Sequence, residues 1–174
     1  DMDADTINAV LEEGGKFAAE VAFPLNISGD EEGCTIDQKT HEVTTPKGYK
    51  EAYKKYIEGG WAALACDPDF GGQGLPLGVN SMFYEMLNSA NQAWTMYPGL
   101  THGAYHALHT YGTDEQKQTY LHKMTSGEWT GTMNLTEPQA GSDLALIRSR
   151  AEPQADGTYR VFGQKIFITY GDHD

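Results

Sequence analysis

The sequence is short of cysteine, of cations and of long apolar runs, and each shortage excludes something. It has only two cysteines, Cys34 and Cys66, in neither a CxxC nor a CxxxC spacing, so it carries no signature of a zinc ribbon or a dithiol redox centre. The pair fits free thiols in a reducing, cytoplasmic setting better than a secreted scaffold, while spacing alone leaves a disulfide between them open. Its 12 Lys and Arg stand against 25 Asp and Glu, a formal charge of -13. Such a chain repels a phosphate backbone, which argues against nucleic-acid binding. No run of about eighteen apolar residues is present, and the opening stretch has neither a basic n-region nor an apolar h-region, so no membrane span or secretory leader is expected. No internal repeat or low-complexity segment is visible either.

What is there, in 174 residues, is enough for one or two domains with a hydrophobic core. From Asp5 to Leu25, the positions Ile7, Val10, Leu11, Ala18, Val21, Ala22 and Leu25 recur at steps of three and four. That spacing predicts a helix, weakened by about 1 kcal/mol at each of Gly14 and Gly15. Asn26 to Pro46 lacks a period and reads as a long surface connection. A helix is predicted from Pro46, with Tyr49, Tyr53, Tyr56 and Ile57 on one face and Gly59-Gly60 as its stop. After the aperiodic DPDFGGQGLP, a long helix is predicted from Leu77 to Thr95, with Pro98 separating it from a further stretch to Tyr111. Thr113 to Gln116 reads as a capping box opening a helix to about Ser126.

The period then changes to two. Trp129, Gly131, Met133 and Leu135 alternate with Thr130, Thr132, Asn134 and Thr136, predicting a strand. Two more strands, about 147–152 and 158–169, flank the turn dipeptide Asp156-Gly157. The expected organisation is a helical domain over residues 1–127 and the beginning of a β domain over 128–174. About 47 residues of sheet bury little by themselves, so the rest of that sheet is expected to lie beyond this chain.

The stretch MNLTEPQAGSD, Met133 to Asp143, runs from the predicted strand into a small polar turn. Such corners gather backbone N–H groups, and Gly141 and Ser142 let an anion or planar ring approach the main chain. The same residues also suit a plain turn capped by Ser and Asp, and spacing leaves both readings open. His102, His106 and His109 have helix-face spacings suggestive of a metal, but no acid or cysteine beside them in sequence completes a ligand set, so packing or surface roles are expected and no metal.

MNLTEPQAGSD together with GQKIFIT, Gly163 to Thr169, resembles the flavin-binding signature of the acyl-CoA dehydrogenase family, and YGTDEQKQTYLHKMTSGEW resembles the helix leading into that family's middle domain. The resemblance covers the whole chain in order. It implies a mostly α fold: an acyl-CoA dehydrogenase-type N-terminal helical domain followed by the first strands of a truncated β-barrel-like middle domain. It implies FAD as cofactor, with Leu135 and Thr136 on the flavin's pyrimidine edge and Gly141 and Ser142 at its pyrophosphate. Phe167 would pack on the ring, Ile168 would line it and Thr169 would point its hydroxyl at flavin N5. Met133 stands where many members have an aromatic residue, and Tyr170 where many have Asn or Ser. For the acyl chain, the resemblance points to a wall of Thr95, Met96, Gly99, Leu100 and Gly103. The implied reaction is α,β-desaturation of an acyl-CoA to a trans-2-enoyl-CoA, as in β-oxidation of fatty acids, with electrons passed to electron-transferring flavoprotein. No catalytic residue is assigned, because the family's general-base Glu is expected beyond residue 174. A homodimer or homotetramer is implied for the full-length protein. NISGDEEGC, VTTPKGYKEAYKKYIEGGWAAL and KIFITYGDHD further resemble a bacterial group that includes 3-(methylthio)propanoyl-CoA dehydrogenases. An acyl-CoA oxidase shares these motifs, and a noncatalytic helical interaction domain is the reading of a different class.

Overall fold

The structure, a computed structural model, describes residues 3–174, so the first two residues of the expected helical domain lie outside it. The chain forms two compact units, one of residues up to Gly131 together with Asp172–Asp174, the other Thr132–Gly171.

In the helical unit, Asp3 opens α1 (Ala4–Phe17) by accepting from the Thr6 amide at 2.8 Å. The helix runs on through a π-helical turn, Ala18–Ala22, and α2 (Leu25–Glu32) follows Pro24. Gly14 is buried because α1 lies against Phe83; a Cβ there would come within 2.7 Å of that ring. Its cost in helix propensity is therefore offset by close packing.

The expected long connection from Asn26 to Pro46 is instead most of α2 and a short hairpin, β1 (Thr35–Ile36) against β2 (Val43–Thr44). This helix has little amphipathic signal in its sequence. What holds it is tertiary: Gly29 sits under the Tyr49 ring, a contact no local pattern announces. The next helix, α3 (Tyr49–Glu58), starts three residues after Pro46, directly after Gly48 at φ 92°, and buries Tyr49, Ala52 and Tyr56.

The largest departure lies in α4 (Leu77–Tyr111). It does not break at Pro98, which is inside it; the non-helical residue is Asn91, at φ -159° and ψ 91°. The two arms fold back on one another there. Asn80 Nδ2 comes within 3.4 Å of His102 Nε2, whereas a straight helix would hold residues so spaced about 33 Å apart. Asn91 caps the second arm by accepting from the Trp94 amide at 3.0 Å, and its Nδ2 donates to the Ala22 carbonyl at 3.2 Å. A short polar side chain that bonds the backbone competes with helix continuation, which explains why the break is here.

Around this hairpin sit Ala22, Tyr56, Leu64, Phe83, Leu87 and Trp94, all buried, with the Trp61 and Phe83 rings stacked at 4.4 Å. Full burial of a side chain such as Phe83 or Leu87 stabilises by roughly 2 kcal/mol. The predicted capping box is present: the Thr113 hydroxyl accepts from the Gln116 amide and Gln116 reaches back, opening α5 (Asp114–Thr125). Leu121 and Met124 of α5 pack with Cys66, Phe70 and Tyr105. Cys34 is exposed, Cys66 is buried, and both are free thiols.

In the second unit, β3 (Arg150–Pro153) pairs antiparallel with β4 (Tyr159–Phe162), Arg150 facing Phe162. They are joined through Asp156-Gly157, with Gly157 at φ 83°. Both strands are shorter than predicted, and 129–136 forms no strand at all. Residues 132–136 nonetheless lie against a second segment in a way that shapes the site. Among the described residues, no helix is long and apolar enough to cross a membrane.

Candidate functional site

The two signature segments lie side by side in the second unit. Thr132 Oγ1 donates to the Thr169 carbonyl at 2.5 Å, the Ile166 amide to the Thr136 carbonyl at 3.0 Å, and Lys165 Nζ to the Leu135 carbonyl at 3.0 Å. The partners run in opposite directions, so 132–136 is antiparallel to 165–169. Only one of these contacts joins main chain to main chain, which is why the period-two pattern yields no ladder. The interruption has a visible cause: Phe167, opposite the middle of the first segment, holds a left-handed conformation at φ 55°, which a β ladder cannot include.

Met133, Leu135, Thr136, Phe167, Ile168 and Thr169 are thereby brought together on these two segments. Met133 is 62% exposed and Phe167 85%, so within this chain the pair presents apolar surface. Leu135, Thr136, Ile168 and Thr169 are half-buried. The carbonyls of Leu135 and Thr136 are both engaged, while the amides of residues 133–136 and the hydroxyls of Thr136 and Thr169 make no hydrogen bond among the described residues. The arrangement offers donors beside two carbonyls that are already engaged.

The corner itself is a tight turn. The Glu137 amide donates to the Ala140 carbonyl and the Ala140 amide to the Glu137 carbonyl, each at 3.0 Å. Its carboxylate is only 3% exposed and accepts from four groups: Lys165 Nζ at 2.9 Å, Gln139 Nε2 at 2.7 Å, and the amides of Arg148 at 2.9 Å and Ser149 at 3.0 Å. The Lys165 ammonium, with the amide donors behind it, holds the carboxyl well below the usual glutamate range. Past the turn, Gly141 and Ser142 are exposed, with open space where a Gly141 side chain would be. Asp143 is occupied in capping the short helical turn Leu144–Leu146 through the Ala145 amide.

The proposed acyl wall lies in the helical unit, on the second arm of α4, and the structure divides it. Met96 and Gly103 are exposed and Gly99 and Leu100 half-buried, forming one stripe at steps of three and four. Thr95 is turned into the core, its hydroxyl donating to the Asn91 carbonyl at 2.7 Å. The neighbouring histidines take packing or surface roles, His106 being exposed. His109 pairs with Asp67 at 2.9 Å, and His102 lies beside Asn80 and Tyr84. Burial, followed by the nearby His106, pushes the His102 imidazole down to about 4. Among the described residues, no group of three or more His, Cys, Asp or Glu is placed to hold a metal.

The sequence shows Glu137 as part of the turn motif but not its burial or its partner. The signal was a Glu inside one signature and a Lys inside the other, the only charged residues of their kind in those two stretches apart from Asp143.

Residues 9–128 match the family model described as acyl-CoA dehydrogenase, N-terminal domain. The whole chain is 47% identical to 3-methylmercaptopropionyl-CoA dehydrogenase of Ruegeria pomeroyi, but spans only 29% of that relative's length. Among solved structures, butyryl-CoA dehydrogenase from Megasphaera elsdenii superposes with a TM-score of 0.80 at 24% identity, over 98% of this chain and 43% of that one. An acyl-CoA dehydrogenase from Bacillus anthracis, solved in complex with FAD, gives 0.76 at 22% identity, over 97% of this chain and 27% of that one.

Proposed function

The chain belongs to the acyl-CoA dehydrogenase family, and from that premise we propose that it is part of an FAD-dependent enzyme that desaturates an acyl-CoA thioester between its α and β carbons. The product is the trans-2-enoyl-CoA, and the electrons go on to an electron-transferring flavoprotein. In this reading residues 1–127 are the N-terminal helical domain and 128–174 the start of the middle β domain of a homo-oligomeric cytoplasmic enzyme.

One observation carries the reading. The two signature segments present unengaged amides and hydroxyls beside exposed Met133 and Phe167, while the carbonyls of Leu135 and Thr136 are tied off. The pyrimidine edge of a flavin is rich in acceptors and its faces are apolar, so this donor set fits it. Bound FAD would accept hydride from the β carbon as a base removes the α proton. The chain's own residues do the holding. Leu135 and Thr136 donate to the pyrimidine edge, Thr169 turns its hydroxyl toward N5, and Met133, Phe167 and Ile168 keep water from the ring. Gly141 and Ser142 leave main-chain amides open to the pyrophosphate. The exposed stripe of Met96, Gly99, Leu100 and Gly103 forms one wall of the acyl site, the glycines leaving room for the chain. Glu137 is not the base, because both its oxygens are committed to Lys165, Gln139, Arg148 and Ser149; that carboxylate comes from elsewhere in the full-length protein.

The test is a visible absorption spectrum of the full-length protein before and after anaerobic addition of a short-chain acyl-CoA. A flavin band that bleaches supports the reading. A protein with no flavin band, or a flavin indifferent to every thioester tried, overturns it; peroxide formed under air assigns an oxidase instead.

A further inference from the structure

Lys165 does more than pair with Glu137. Its ammonium bridges two acceptors from the other signature segment, the Leu135 carbonyl at 3.0 Å and the Glu137 carboxylate at 2.9 Å. The peptide joining Leu135 to Thr136 is trans and planar, so its C=O and N–H point in opposite directions. Holding the Leu135 carbonyl therefore sets the direction of the Thr136 amide. On the other side of Thr136 its carbonyl is held by the Ile166 amide at 3.0 Å. The residue is clamped at both of its peptides by consecutive residues of the GQKIFIT segment.

Glu137 fixes the clamp in turn. Its carboxylate also takes the amides of Arg148 and Ser149 and the side chain of Gln139, so the ammonium is anchored to a junction of three chain segments. Resting on the assignment of the flavin to this corner, we infer that Lys165 and Glu137 are positioning residues: Lys165 aims the Thr136 amide at the flavin through the Leu135 carbonyl, and Glu137 holds Lys165 in place. Neither touches the flavin. With Lys165 shortened to an apolar side chain, the peptide is free to turn, and a donor facing the pyrimidine edge is exchanged for an acceptor.

The experiment uses the full-length protein, stripped of flavin and titrated with FAD, as wild type and as Lys165→Met, Lys165→Arg and Glu137→Gln. Affinity is read from quenching of flavin fluorescence, geometry from the visible circular dichroism of the bound flavin, and fold from the thermal midpoint. Loss of a positioning group predicts a rise in Kd of about tenfold or more for Lys165→Met, with an altered flavin dichroism. Lys165→Arg retains a donor fork and stays within roughly threefold. Glu137→Gln falls between them. A purely structural pair gives a different pattern, a lower thermal midpoint with wild-type Kd and dichroism in the folded protein, and that result overturns the inference while leaving the flavin site standing. Should Lys165→Met fail to fold, Glu137→Gln decides by the same two readouts. A wild-type protein that takes up no FAD overturns the flavin assignment and this inference together.

Discussion

Asn91 and Ala22 are joined by a side-chain hydrogen bond, Asn91 Nδ2 to the Ala22 carbonyl at 3.2 Å, at the point where α4 turns back on itself. Ala22 closes the π-helical turn after α1, whose widened spacing leaves main-chain carbonyls in need of donors. The same amide group caps the second arm of α4 through its oxygen, which accepts from the Trp94 amide. One buried side chain thus satisfies an orphan acceptor on one helix and an orphan donor on another.

Replacing Asn91 with Ala removes both bonds and leaves the Ala22 carbonyl buried without its partner. The cap and the unmet acceptor together predict a loss of roughly 2–4 kcal/mol. Asn91→Asp keeps an acceptor for Trp94 and loses only the donor. Urea unfolding followed by the fluorescence of Trp94 and its neighbours measures both, and a loss below about 1 kcal/mol in Asn91→Ala would refute the account.

Most of the helices were legible because their signals are local. The Thr113–Gln116 capping box and the tyrosine stripe of α3 each state their case within a few residues. What escaped depends on distant partners. The α2 helix rests on Gly29 beneath Tyr49, and the turn in α4 on a bond from Asn91 to a carbonyl far away in sequence. Pro98 looked like the breaker since proline usually is one, yet Asn91 carries the stronger cause, a side chain able to replace the backbone's own bonds. In the second unit alternation predicted a strand over 129–136 that does not form. It could not show that Phe167, in a left-handed conformation, denies that segment a ladder. The Glu137–Lys165 contact that ties the two signature segments together was not legible in either one.

Acid should loosen the corner by a route that Glu137→Gln removes. The Glu137 carboxyl is held below its ordinary value of 4.5 in the folded chain, first by Lys165. A depressed folded pKa means that its contribution is complete above the unfolded value and is lost as pH falls from about 4.5 toward the folded value. Glu137→Gln is therefore expected to be less stable than wild type at neutral pH, with the difference shrinking below pH 4.5 or so. Thermal midpoints of the two proteins at pH 7 and at about pH 3.5 check it, and a constant difference across that range would be evidence against the pair.

His102 contributes a separate acid limb at milder pH. Burial, then His106, lowers its pKa from 6.5 to about 4, so the folded chain keeps it neutral while the unfolded chain protonates it. Stability is full above pH 6.5 and declines as pH falls from there to about 4. After solvent screening, His102→Gln should lose about 1 kcal/mol less than wild type between pH 7 and pH 5. An NMR titration that found His102 protonating near its ordinary value would remove the basis of the effect.

Phe167 combines a strained backbone with a ring that is 85% exposed. A bulky side chain in the left-handed region costs about 1 kcal/mol, and asparagine adopts that region more readily. With so little of the ring buried, Phe167→Asn removes little packing within the chain and relieves part of the strain. The thermal midpoint of the flavin-free protein should stay the same or rise slightly. Affinity for FAD should fall by roughly tenfold, because an aromatic wall against the flavin ring is lost. A bulky side chain kept in that conformation at an energetic cost makes sense when it serves a ligand. If Phe167→Asn destabilised the flavin-free protein and left FAD affinity unchanged, the ring would be a folding residue, and the left-handed turn would have no functional reading.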